Sequence, residues 1–210
     1  MDLCRLCEKR RPRRYCPGVR GEICSQCCGA EREVTVECPF DCEYLAEARR
    51  HEKLPELTPA EIPNGDIRVT EGFLRDHEDL LMVSARALFD AAMQIPGTID
   101  FDVREALEAL IKTYRTLQSG LVYESRPANP MAAGVQQLFE QQVRAYRDAA
   151  TQRAGMNVIR DADVLGVLVF LQRMEIQHNN GRRRGRAFLD LLRGFLPPSM
   201  GAGASQLVTA

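Results

Sequence analysis

The chain has no tryptophan, only three lysines (Lys9, Lys53 and Lys112) among its 28 basic residues, and no cysteine after position 42. Catalytic templates are missing as well. There is no H-E-x-x-H pair, no P-loop, no G-x-S-x-G and no G-x-G-x-x-G placed after a strand. The serines have no evident base partner, and paired carboxylates such as Glu78-Asp79 read as helix surface. No apolar run approaches a membrane span, the longest being Val164 to Leu171. Met1 to Arg5 is not followed by an apolar stretch, so no signal peptide is expected. The formal net charge of −1 removes any whole-protein field that would direct the chain to nucleic acid or membrane. These absences point to the cytoplasm, where clustered cysteines favour a metal over disulfides.

All eight cysteines fall in the first forty-two residues: Cys4-x2-Cys7, Cys16, Cys24-x2-Cys27, Cys28 and Cys38-x3-Cys42. A C-x2-C pair lets two thiolates from one turn reach the same ion, and structural zinc takes four such donors with no open position. The sequence predicts a helix from Pro39 to about His51, with Cys38 as N-cap and Pro39 at the first position, placing Cys38 and Cys42 on one face at the positive end of the helix. Arg32 to Glu37 alternates like a short strand.

Eight thiols make two four-thiolate zinc sites, and two partitions stay open. A treble-clef-like order groups Cys24, Cys27, Cys38 and Cys42, leaving Cys4, Cys7, Cys16 and Cys28. A cross-brace interleaves Cys4, Cys7, Cys24 and Cys27 with Cys16, Cys28, Cys38 and Cys42. One zinc with spare thiols, disulfides and an iron–sulfur cluster are the competing readings. Lys9, Arg10, Arg11, Arg13, Arg14 and Arg20 suit either compensation of the −2 charge of each tetrathiolate site or a phosphate-binding surface.

The stretch Ile23-Cys24-Ser25-Gln26-Cys27-Cys28-Gly29, continued by Arg32 to Leu45 with its Cys38-Pro39-Phe40-Asp41-Cys42, resembles the N-terminal part of a group of uncharacterised bacterial proteins. That resemblance implies a Cys-rich start joined to a helical remainder and carries no activity. Cys4-x2-Cys7, Tyr15-Cys16-Pro17 and Cys24-Ser25-x-Cys27 are more weakly similar to HIT-type zinc fingers, whose further cysteine after Pro17 is absent here. That similarity implies protein contacts.

The remainder reads as a mainly α protein: a zinc-binding domain over residues 1–50, a Pro-rich linker over 51–69 with a brief strand at Ile67 to Val69, an antiparallel bundle of four to five helices over 70–196, and a disordered tail over 197–210. The first long helix starts at Thr70 and runs to Ile95. The second follows Asp100 or Asp102 as cap and ends at Gly120. The third opens with Asn129-Pro130 and closes at Gly155. The fourth opens at Asp161 or Asp163 and is apolar almost all round, which makes it the central one. A short helix around Phe188 to Phe195 comes last.

Outside the cysteines, His178, Asn180, Arg182, Arg183, Arg184 and Arg186 cluster in one connection and suggest an anion-binding loop, against the plainer reading of a solvated turn. His77 reads as a hydrogen-bonded boundary residue and His51 as an exposed helix end. The expected function is a non-enzymatic zinc protein that binds another protein as adaptor or regulator. A nucleic-acid-binding regulator and a zinc–thiolate redox sensor are the alternatives.

Overall fold

A computed structural model describes residues 3–58, 61–120 and 122–196. The expected tail over 197–210 lies outside the described residues. The described chain is mainly helical, with one small sheet: β1 (Arg14–Cys16), β2 (Gly21–Ile23), α1 (Ser25–Glu31), α2 (Glu43–Arg50), α3 (Glu71–Asp76), α4 (Glu78–Gln94), α5 (Asp100–Gln118), α6 (Pro130–Ala154), α7 (Asp161–His178) and α8 (Ala187–Phe195). Two hydrophobic cores follow from this order, one within the cysteine segment and one within the helices.

Local chemistry sets several helix ends. The Thr70 hydroxyl accepts from the Phe73 N–H at 3.1 Å and starts α3. Asn129 caps α6 by accepting from the Met131 N–H, Pro130 fills the first helical position, and Gly155 (φ 71°) closes the helix. The expected single helix from Thr70 to Ile95 is instead two. His77, at φ −121° and ψ 28°, breaks it between α3 and α4. Its ring stacks on Phe73 at 4.4 Å, Nδ1 lies 2.9 Å from the Phe73 carbonyl, and Nε2 faces Asp163 Oδ1 at 3.4 Å. The side chain thus holds the bend against α7. Phe73 can lie there because residue 166 is glycine: a Cβ would stand 2.5 Å from its ring.

Helix α7 is the central element, with Val164, Leu165, Val167, Leu168, Val169 and Leu171 buried on every side. It packs chiefly on α5, and also on α4 and α8, while α4 and α5 both pack on α6. Within this core Arg104 of α5 clasps the fully buried Glu175 of α7 through two nitrogens at 2.7 and 3.2 Å. Sequence reasoning placed Asp100 or Asp102 as cap of α5. Asp102 does accept from the Ile99 N–H at 2.9 Å. Asp100 instead caps a different helix: its carboxylate receives the Phe188 and Leu189 N–H groups of α8 at 2.9 and 3.1 Å. Burial pushes the Asp100 carboxyl up to about 7, against those two donors, and the charges of Glu175 and Glu33 push the same way.

The linker expectation also changes. Ile67 to Val69 forms no strand; an irregular turn around Asn64 (φ 54°) is strapped to the helices. Arg173 of α7 donates to the carbonyls of Pro63, Asn64 and Ile67, and Arg115 of α5 donates to Asn64 and Asp66. Backbone acceptors that would otherwise face water meet the Arg173 guanidinium, and the side-chain oxygens of Asn64 and Asp66 meet Arg115. Ile67 and Val69 add apolar contact beneath them.

Candidate metal centre

Among the described residues, the cysteine segment buries only three large aliphatic side chains, Ile23, Val36 and Leu45, alongside its cysteines. A core that small does not hold such a segment folded without a staple. The backbone arranges the thiols in two turns. Around Cys4 the chain loops back so that the Cys4 N–H meets the Arg10 carbonyl at 2.8 Å and the Glu8 N–H meets the Cys4 carbonyl at 2.8 Å. The flanks of this loop pair with β2, Arg5 N–H to the Glu22 carbonyl and Arg13 N–H to the Ile23 carbonyl. β2 in turn delivers Cys24, whose sulfur caps α1 by accepting from the Cys27 N–H at 3.4 Å.

As a result Cys4, Cys7, Cys24 and Cys27 come together, their sulfurs all within 4.8 Å of one another. Among the described residues this is the one set of three or more metal-ligating side chains that converges so closely. Cys4 is fully buried, Cys24 and Cys27 nearly so, and Cys7 is half-buried. A zinc–sulfur bond of about 2.3 Å puts tetrahedral sulfurs about 3.8 Å apart, a spacing within the 4.8 Å bound that this set meets.

Electrostatics points the same way. Burial raises the Cys4 thiol, but the N–H groups of Cys24, Cys7 and Leu6 outweigh it and bring it down to about 6. The Cys24 N–H lies 3.2 Å from that sulfur. Cys27 is pushed up to about 12, first by the hydrogen bond it shares with Cys24 and then by burial. Four thiolates at this spacing repel one another strongly, so they ionise together only around a cation. Arg10 approaches the cluster from outside, 4.0 Å from Cys7 Sγ.

The pairing follows the interleaved partition for this set. The treble-clef grouping of Cys24 and Cys27 with Cys38 and Cys42 is not formed. Cys38 is not the N-cap of a helix, and Pro39 is not its first residue. The Cys42 N–H closes a turn on the Pro39 carbonyl at 3.2 Å, and α2 starts only at Glu43, with Cys42 as cap residue. Phe40 supplies the reason: its ring lies under the guanidiniums of Arg186 (3.9 Å) and Arg193 (5.0 Å), which draw that turn towards α8.

Nor do Arg32 to Glu37 form a strand. They make a turn closed by an isolated bridge between Arg32 and Val36, with Glu33 in the left-handed region at φ 50°. That conformation buries the Glu33 carboxylate to 1 % exposure, where it receives Arg49 Nη2 at 2.7 Å, Asn180 Nδ2 at 2.8 Å and the Arg186 N–H at 3.0 Å. Arg49 also pairs with Asp190 of α8.

The same turn engages the arginine loop. Arg182 donates to the Arg32 carbonyl at 2.7 Å, the Arg184 N–H donates to the Glu33 carbonyl at 2.8 Å, and the Arg184 side chain pairs with Glu37 at 2.8 Å. Arg186 lies 4.0 Å from Glu37. Arg183 is exposed, and His178 is half-buried at the end of α7, its ionisation suppressed by burial. The carboxylates that Asn180, Arg184 and Arg186 engage are the chain's own: Glu33, Glu37 and, for Asn180, also Glu52 at 3.4 Å. Nothing in the local sequence marks Glu33 for this role, since its partners lie 16 to 153 residues away.

No family model, no curated protein and no solved structure matches this chain. Among the described residues no helix is long and apolar enough to cross a membrane.

Proposed function

We propose that this chain is a non-enzymatic zinc protein of a reducing compartment, the cytoplasm, in which the metal orders residues 1–50 and the helices present a surface to another protein. The observation that carries the metal reading is the convergence of Cys4, Cys7, Cys24 and Cys27 within 4.8 Å. An all-thiolate donor set selects zinc over the hard cations and leaves no position for a substrate, which makes the role structural. The charge network around Glu33 then carries that order to α7 and α8. What supports an adaptor role is a groove at α4 and α6 lined by Met82, Val83, Ala145 and Leu196, with Arg86 and Gln142 as its polar lining. The test is metal analysis of the reduced full chain. Bound zinc that is lost in Cys24→Ser supports the reading; a folded wild-type chain free of zinc refutes it.

A second reading, binding to nucleic acid, is favoured by one specific observation. Arg10, Arg14 and Arg32 are the arginines directed at sulfur, which leaves the side chains of Lys9, Arg11, Arg13 and Arg20 exposed with no hydrogen-bond or ion-pair partner among the described residues. Glu8 and Glu22 are exposed beside them and temper the positive charge. Four phosphate contacts correspond to a log–log salt slope of about −3 to −4. A fluorescence titration showing no binding at low salt removes this reading.

A further inference from the structure

The remaining cysteines, Cys16, Cys28, Cys38 and Cys42, occupy the same small core as the first set. Their sulfurs do not converge as closely as that first group. Three sets of contacts, one of the backbone and two of arginine side chains, nevertheless bring their carriers to one place.

The turn joining β1 to β2 is pressed on the segment before Cys38. A Cβ at Gly18 would stand 2.5 Å from the Glu37 carbonyl oxygen and 2.8 Å from Val36, so only glycine permits the contact. Gly18 is two residues past Cys16 and Glu37 is one before Cys38, which sets those two cysteines side by side. Cys16, Cys42 and Glu33 are the electrostatic neighbours of the Cys38 sulfur, which agrees with that placement.

Next, Cys28 follows Cys27 on α1, and one residue turns the side chain by about 100° around a helix. Cys27 faces the first set, so Cys28 faces elsewhere. Where it faces is marked by Arg14, whose guanidinium donates to Cys28 Sγ at 3.7 Å and lies over the Tyr44 ring at 3.9 Å. Arg14 is two residues before Cys16 on β1, and Tyr44 is two residues after Cys42. The one guanidinium therefore ties α1, β1 and the start of α2 together.

Lastly, Arg32 also donates to Cys28 Sγ, at 3.8 Å. Arg10 stands in the same relation to Cys7 of the first set. N–H donors arranged outside the sulfurs are what a tetrathiolate ion of net charge −2 attracts.

We infer that Cys16, Cys28, Cys38 and Cys42 form a second all-thiolate site for a divalent soft metal ion, zinc in the cell, distinct from the Cys4 set and interleaved with it. Binding draws the four sulfurs inward and releases their thiol protons to solvent. Its structural effect differs from that of the first site. Cys38 and Cys42 bracket the turn that carries Phe40, and Cys38 follows directly on Glu37. The second ion thus fixes the edge that meets Arg184 and Arg186, whereas the first ion fixes the loop before β1.

The experiment is an anaerobic cobalt(II) titration of the reduced full chain, read by thiolate-to-cobalt charge transfer, with zinc stoichiometry of the purified protein measured by mass spectrometry. The expected endpoint is two equivalents. Cys38→Ser and Cys42→Ser reduce it to one, and Cys24→Ser also reduces it to one. A wild-type endpoint of one equivalent, lost in Cys24→Ser and kept in Cys38→Ser, overturns the second site and leaves the first intact. Two equivalents retained by Cys38→Ser also overturn it. No metal in any form overturns both readings. If a serine variant does not fold, the wild-type endpoint alone decides between one site and two.

Discussion

Replacing Glu33 by Gln tests how the cysteine segment is held on the helices. The substitution keeps the size of the side chain and removes its charge. In the native chain the carboxylate is 1 % exposed and receives three donors, from Arg49, Asn180 and the Arg186 backbone. A hydrogen bond to a charged group contributes about 1.5–3 kcal/mol, and removing one partner of a buried ion pair costs about 3–5 kcal/mol. The Gln amide also turns an acceptor position into a donor, which would face Arg49 or Asn180 donor to donor. Arg49 keeps Asp190, so the upper end of the range is softened and a loss of about 3 kcal/mol is expected. That exceeds the worth of an exposed ion pair such as Arg50–Glu47 several-fold. The loss should appear as local release. Hydrogen exchange at residues 31–37 and 180–186 should speed up by about two orders of magnitude, since each 1.4 kcal/mol is a factor of ten. Metal held by the Cys4 set should not change, because Glu33 is not part of that set. Exchange rates equal to wild type at both segments would refute the reasoning.

Three further outcomes follow from the same structure. Asp100 has its folded pKa raised to about 7 from an ordinary 3.8, so the native state binds the extra proton between those values. Its contribution to stability is therefore full below about pH 4 and is lost as pH rises through 7. Urea midpoints of wild type measured against Asp100→Asn should diverge with that sign, and a pH-independent difference would contradict it. Gly166→Ala pushes a Cβ to 2.5 Å from the Phe73 ring, and a cost of about 1–3 kcal/mol from overpacking outweighs a helix-propensity gain of about 1 kcal/mol, so the melting temperature should fall. Arg173→Ala frees three backbone carbonyls around Asn64 and should make the 61–69 segment a preferred site of limited proteolysis while the helical signal in circular dichroism persists.

How much was legible in the sequence depended on how local the cause was. Thr70, Asn129-Pro130 and Gly155 mark helix ends through bonds that reach only a few residues, and those ends stand where the sequence placed them. The all-round apolar pattern of α7 likewise carried its burial on its face. Spacing marked Cys4, Cys7, Cys24 and Cys27 as candidate ligands, and their convergence follows the interleaved grouping, one of the two that spacing allowed. What was not legible came from distant partners. Glu33 leaves the extended conformation that its alternating neighbours favour because Arg49, Asn180 and Arg186 wait across the fold. Pro39 does not start a helix because Phe40 is held by Arg186 and Arg193. His77 divides a continuous helical pattern because it bends back to Phe73 and faces Asp163. The arginines after Asn180 could be read from the sequence as an anion-binding loop or a solvated turn, and nothing near them in sequence shows that Glu33 and Glu37 lie in contact.

The central claim is that Cys4, Cys7, Cys24 and Cys27 hold a zinc ion that staples the first fifty residues. The most direct measurement is X-ray absorption at the zinc edge on the purified, reduced full chain. Four sulfur scatterers at about 2.3 Å are the expected result. Nitrogen or oxygen in the first coordination sphere, or a folded chain that carries no zinc, would contradict the account.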